Sequence, residues 1–177
     1  DRGTMEQVRR LSARRSLLLL STPAFAGARP LFELWQATRG ELTEDVQSIM
    51  RASSVFQRMV VVRNPAGGAR LIAQHFGAGI KVMRPCESLL TIDRDFHELH
   101  PDRDYVAWVA EAYAETLWRR RPHLESIRAL IRMGASGTLV GRYDRLIMPW
   151  RSGSGDWFAT ALSIQRTAPV LSSIPDQ

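Results

Sequence analysis

Asp93, Asp95, His97, Glu98, His100, Asp102 and Asp104 crowd one short segment of the chain. Carboxylates and imidazoles are the donors that hold Ca²⁺ or Zn²⁺, so this is where metal chemistry is sought first. The spacing matches neither an EF-hand loop nor a His-Glu-x-x-His helix. Acids at a helix start and on a solvated face account for the same residues, and no metal ligand is assigned. Cys86, the sole cysteine, follows Pro85 and could begin a helix, which would lower its thiol pKa; a lone half-buried thiol is the plainer reading. One cysteine forms no intrachain disulfide and no cysteine cluster. Gly77-Ala78-Gly79 and Gly134–Gly137 could approach phosphates, but no Gly-Lys-Ser/Thr follows and no dinucleotide fingerprint is completed, so they read as turns. No base, nucleophile and oxyanion donor can be assembled from spacing. No catalytic residue is assigned, and an enzyme is not the reading these residues favour.

The basic residues are almost all arginine, with Lys81 the only lysine, and the net charge is +6. Arginine's planar fork suits phosphate and carboxylate. Arg9, Arg10, Arg14 and Arg15 could grip nucleic acid or anionic lipid; a solvated helix face is the simpler account, and nucleic acid is disfavoured as a partner. The same arginines, followed by Leu17–Leu20 and Ser21–Ala26, mimic a secretory signal. The short apolar run and Pro23 argue against it, and the expected location is the cytoplasm. Met5 is the expected natural start. No apolar run approaches the ~20 residues of a membrane span.

These groups need elements to position them. The 177 residues, 45% hydrophobic and 24% charged, suit one globular domain with extensions. Residues 1–28 read as a basic helical extension, with Met5–Leu20 as an amphipathic helix; 29–167 form the domain, and 168–177 a flexible tail. Pro30 opens a helix carrying Leu31, Leu34, Trp35 and Thr38, which Gly40 ends. Thr43 caps the next, with Val46, Ile49 and Met50 as its apolar stripe. Phe56–Arg63 and Arg70–Phe76 read as a hairpin around Asn64–Gly68. Short helical pieces are expected at Glu87–Ile92 and Asp93–Leu99. A long helix spans Asp102–Arg121, with Val106, Val109, Tyr113 and Leu117 in one stripe and Tyr105 and Trp108 beside it; Pro122 stops it. Leu124–Arg132 has helical periodicity. In the strand ending at Trp150, Leu146, Met148 and Trp150 share one face, and Tyr143, Arg145 and Ile147 the other. The last strand sets Phe158, Leu162 and Ile164 against Ala159, Ala161 and Ser163.

Helix, hairpin, short helices, long helix and further strands follow one another in an order that resembles the PAS fold. Three motifs are similar to those of small bacterial PAS-like proteins that stand alone without a kinase. They are the Leu-x-x-x-Trp-x-x-x-Arg-Gly helix at Leu31–Gly40, the glycine-ended strand Leu71–Gly77, and Tyr143-Asp144-Arg145-Leu146-Ile147-Met148-Pro149, where Trp150 replaces the usual leucine. The resemblance implies an α+β domain: a five-stranded antiparallel sheet covered on one face by helices, with a pocket between sheet and long helix. It also implies that Leu124–Arg132 is a strand, and we follow it there. Covalent flavin attachment would need an Asn-Cys-Arg-Phe-Leu type of motif, which Arg84-Pro85-Cys86-Glu87 does not resemble.

The pocket so implied takes His75, Tyr105, Trp108, Val109, Tyr113, Met148, Trp150 and Phe158 as its candidate lining, although core packing alone would also use such residues. The expected function is a non-catalytic sensory or signalling module that binds a small ligand or a signalling protein; neither the ligand nor any cofactor can be named. The alternatives are an adaptor that dimerises through its N-terminal helix and sheet face, and an arginine-rich nucleic-acid binder.

Overall fold

The computed structural model describes residues 10–65, 70–80, 93–165 and 170–172. In chain order its elements are β1 (Arg10–Arg15), α1 (Arg29–Thr38), β2 (Glu41–Leu42), α2 (Glu44–Ala52), β3 (Met59–Asn64), β4 (Ile72–Phe76), β5 (Arg94–Asp95), α3 (Arg103–Arg119), β6 (His123–Arg132), β7 (Thr138–Ser152), β8 (Trp157–Gln165) and β9 (Val170–Ser172). Short 3-10 turns lie at Leu17–Ser21, Pro23–Phe25, Ser54–Arg58, Phe96–Glu98 and Gly134–Ser136. Cys86, the Glu87–Ile92 helical piece and the glycines of the Asn64–Gly68 turn lie outside the described residues.

The strands form one sheet in the order β1-β6-β7-β8-β3-β4-β5, with β2 and β9 also pairing to β7. Neighbours along that path are antiparallel. β7 explains the breadth. At ~3.3 Å per residue its 15 residues run to about 50 Å, too long for β6 and β8 to cover alone. β2 therefore pairs in parallel beside Arg151 and Ser152, and β9 antiparallel beside Thr138–Val140.

The α+β class stands, but the five-stranded sheet covered on one face does not. Nine strands are found among the described residues, and apolar residues are buried on both faces. Along β7, Leu139, Tyr143 and Ile147 pack beneath α3, while Leu146, Met148 and Trp150 pack beneath α1, α2 and the first 3-10 turns. Apolar residues in both alternating sets mark a strand buried on two sides.

The basic amphipathic helix expected over Met5–Leu20 is corrected for the residues described. Arg10–Arg15 is a strand that continues the sheet beyond β6, and Leu17–Ser21 is a 3-10 turn with Leu20 buried. The arginine spacing misled because Arg10 and Arg14, four apart, also lie on one face of a strand. The tail expected to be flexible contributes β9. Asp93–Leu99 supplies β5 and a 3-10 turn rather than a helical piece.

The helices form as their end residues dictate. Pro30 sits in the first turn of α1, which ends at Arg39 and Gly40 in left-handed conformations (φ 54° and 75°). Trp35 donates its indole N–H to Pro149 O at 2.6 Å, tying α1 to β7. A Cβ on Gly40 would lie 2.8 Å from that indole nitrogen. Thr43 caps α2 through Val46 N; Val46 and Met50 are buried, whereas Ile49, expected in the same stripe, is exposed. Asp102 caps α3 by accepting from Tyr105 N (3.0 Å), and it also takes Arg132 N of β6 (2.9 Å) and Arg10 Nη2 of β1 (3.3 Å). One carboxylate thus fixes α3 against the two strands below it. β6 is a strand as the resemblance implied, its helical periodicity notwithstanding. Among the described residues, no helix is long and apolar enough to cross a membrane.

Candidate functional site

The inward residues of β6 and β7 beneath α3 are not all apolar. Register sets Glu125 directly opposite Arg145, and Ile127 opposite Tyr143. Glu125 and Arg145 are only 4% and 3% exposed. Arg145 donates to Glu125 Oε1 from Nε at 2.8 Å and from Nη2 at 2.5 Å. His123, two residues along the same face, brings Nε2 to 3.4 Å from that oxygen. Its other ring nitrogen lies 3.0 Å from Thr116 Oγ1, and because that hydroxyl donates to Ala112 O, His123 Nδ1 is the donor. Tyr105 and Tyr143 share a hydroxyl hydrogen bond of 2.9 Å, and the Arg145 guanidinium stacks 5.4 Å from the Tyr113 ring centre.

Burial alone would raise the Glu125 pKa. The His123 hydrogen bond and the charge and hydrogen bonds of Arg145 outweigh it and hold the carboxyl at about 2. Burial pushes the Tyr105, Tyr113 and Tyr143 hydroxyls up. Burial would lower Arg145, but its tyrosine and glutamate neighbours raise it further. A charge pair taken this far from water is costly, and apolar residues of similar size would fill the space as well. A strongly shifted, fully partnered ionic cluster beside a cleft is therefore a candidate site.

The cleft is a groove of about 330 Å³ walled by Ser12 and Arg14 of β1 and by Trp108, Glu111, Ala112 and Glu115 of α3, with His123, Glu125 and Arg145 as its floor. Arg14 and Glu115 bridge it at 2.5 Å, and this hydrogen bond lowers the Glu115 pKa. Trp108 is half-buried and Glu111 exposed, so the groove offers an indole face, a solvated carboxylate and a bridged ion pair above a buried one.

The sheet divides the eight residues anticipated from sequence. Tyr105, Trp108, Val109 and Tyr113 lie on α3, with Tyr105, Val109 and Tyr113 packed into the core and Trp108 at the groove. Met148 and Trp150 are wholly buried on the opposite face, where Trp150 donates to Thr160 Oγ1 at 2.9 Å. His75 and Phe158 line a separate, largely apolar depression of about 430 Å³ with Met50, Phe56 and Val61. There His75 stacks on the Phe56 ring at 3.8 Å and lies 3.1 Å from Phe56 O; burial lowers its pKa against that bond. Glu125 and His123 were missed, and Arg145 was placed only by face. The available signal was an arginine at an inward position between Tyr143 and Ile147, which requires an anion opposite; the anion follows only once the β6–β7 register is known.

The acid-rich segment is spent on structure. Asp93 accepts from Gln74 and faces Arg63; Asp95 takes Arg70 Nε at 2.9 Å and His97 N at 3.0 Å; Asp102 caps α3.

A comparison of the chain with protein-family models gives no match, and a comparison with curated proteins gives none at a significant level.

Proposed function

We propose that the chain is a non-catalytic sensory module, akin to the stand-alone PAS-like proteins whose motifs it resembles, that binds a small polar ligand in the groove between β1 and α3. The observation that carries this is the state of the groove's floor. General acid–base catalysis needs a group that titrates near the working pH. Here Glu125 is held at about 2 by Arg145 and His123, and the three tyrosines beneath it are raised by burial. The Glu125–Arg145 pair in the floor is fixed charge, suited to recognition.

The three motifs fall at packing points of the fold. Trp35 of the first bonds to Pro149 of the third, while Gly77 of the second packs so closely on Gln57 that a Cβ would lie 2.2 Å from its carbonyl. Tyr143 and Arg145 of the third motif belong to the cluster under the groove. Because Ser12 and Arg14 line the groove, a ligand would bias how β1 sits on β6, and this is the coupling by which occupancy becomes a signal.

A thermal-shift panel of free amino acids, polyamines and small carboxylic acids tests the reading. At least one member should raise the melting temperature of the wild type, and Glu111→Gln or Ser12→Ala should abolish that rise while melting normally alone. No shift with any member, or an equal shift in both variants, would contradict it. The second reading, a dimerising adaptor, rests on the edge of β1, which among the described residues pairs on one side only. Mass in solution tests it, and a monomer at high concentration would refute it.

A further inference from the structure

The sheet separates the described arginines of β1, β6 and β7 into two sets. Those beneath α3 are neutralised: Arg10 by Asp102, Arg14 by Glu115 and Arg145 by Glu125. On the opposite face Arg15, Arg128, Arg132 and Arg142 are all exposed, and none has an ion pair among the described residues. Register fixes their layout. Arg128 stands directly opposite Arg142, with exposed Leu11 on its other side; Arg15 is level with Leu124, and Arg132 with Thr138.

Two features ask for an anion here. Like charges directly opposite across a strand pair repel, and Arg128 and Arg142 keep that arrangement without an acid between them. Among the described residues, the acid on this part of the face is Asp144, which is buried and accepts from Ser126 Oγ at 2.6 Å. From the level of Leu124 to Arg132 the arginines mark a line of about 26 Å at ~3.3 Å per residue. The space between them holds Leu11, Ala13, Ser126, Leu130 and Val140, with no aromatic ring on which an unpaired base could stack. A line of guanidiniums with no ion pair among the described residues and no stacking platform suits phosphates of a duplex, whose ~3.4 Å rise puts about eight base pairs along it.

We propose that this face binds the phosphate backbone of double-stranded nucleic acid, without sequence preference, through Arg15, Arg128, Arg132 and Arg142. It lies on the side of the sheet opposite the groove and stands independently of the ligand reading.

Fluorescence anisotropy with a short mixed-sequence DNA duplex tests it between about 50 and about 200 mM salt. Four phosphate contacts predict a log–log salt slope near −3.6, at about −0.9 per contact. Arg128→Gln with Arg142→Gln should make the slope shallower by about 2 and weaken binding at low salt at least tenfold, with an unchanged melting temperature. Arg94→Gln with Arg121→Gln removes the same charge from exposed sites elsewhere and should leave binding within twofold. No duplex binding, a slope shallower than −1, or equal losses from both double variants would overturn the proposal. So would phosphatidylserine vesicles bound through Arg128 and Arg142 when the duplex is not, since Leu11 and Leu18 are exposed nearby.

Discussion

Arg145 and Glu125 show what a single pair of residues commits the molecule to. Removing Arg145 leaves Glu125 buried and charged with only His123 beside it, and removing Glu125 leaves the Arg145 guanidinium buried without its carboxylate. Arg145→Met should therefore cost about 3–5 kcal/mol of unfolding free energy in urea titration, and adding Glu125→Leu should recover most of it. A single variant within 1 kcal/mol of wild type would show that water already solvates the pair. The pH dependence follows from the same carboxyl. Its folded pKa, about 2, lies below its reference value of 4.5, so the stabilisation is complete above about pH 4.5 and is lost as pH falls through about 2. The loss should amount to about 3 kcal/mol at 1.36 kcal/mol per pKa unit. Glu125→Gln should remove that acid limb from the stability profile; an unchanged limb would assign it to other carboxylates.

Among the elements, α3 was the most legible in sequence because its stripe, the acids at its start and its stop at Pro122 are all local signals. β7 and β8 were legible because alternation is also local, and the two faces of β7 fall where the pattern puts them. β1 was not legible: a stretch with Arg10, Arg14 and Arg15 looks helical until β6 supplies a partner. β2, β5 and β9, of two or three residues each, carry no periodicity at all. The candidate site was half legible for the same reason. Trp108 and Tyr113 are set by helix phase, whereas Glu125 meets Arg145 only through register. Asp102 is the element-scale hinge of the account, because it serves α3, β6 and β1 together. Asp102→Ala should cost at least 2 kcal/mol, more than the ~1 kcal/mol of an ordinary lost cap, and should speed amide exchange at Arg132. A cost confined to the cap alone would mean that the Arg132 and Arg10 contacts contribute nothing.

At the scale of the whole molecule, two cores share one sheet. Ile131 beneath α3 and Leu162 on the other side are both wholly buried, and their strands belong to the same ladder of hydrogen bonds. Ile131→Ala and Leu162→Ala should each cost about 2–5 kcal/mol and leave a single cooperative unfolding transition, read by fluorescence and circular dichroism together. Two separable transitions would show that the faces fold apart. The sheet also keeps two chemistries from meeting: neutralised arginines and a charged groove on one side, and on the other exposed arginines with no ion pair among the described residues.

The binding groove is the central claim, and the indole N–H signals of the five tryptophans test it most directly. In a ¹H–¹⁵N spectrum titrated with the panel member that most raises the melting temperature, the account predicts saturable shifts at the Trp108 indole and at the Ser12 and Arg14 amides. The buried Trp150 should stay still. A spectrum in which only exposed Trp118 moves, or in which no panel member moves Trp108, would contradict it.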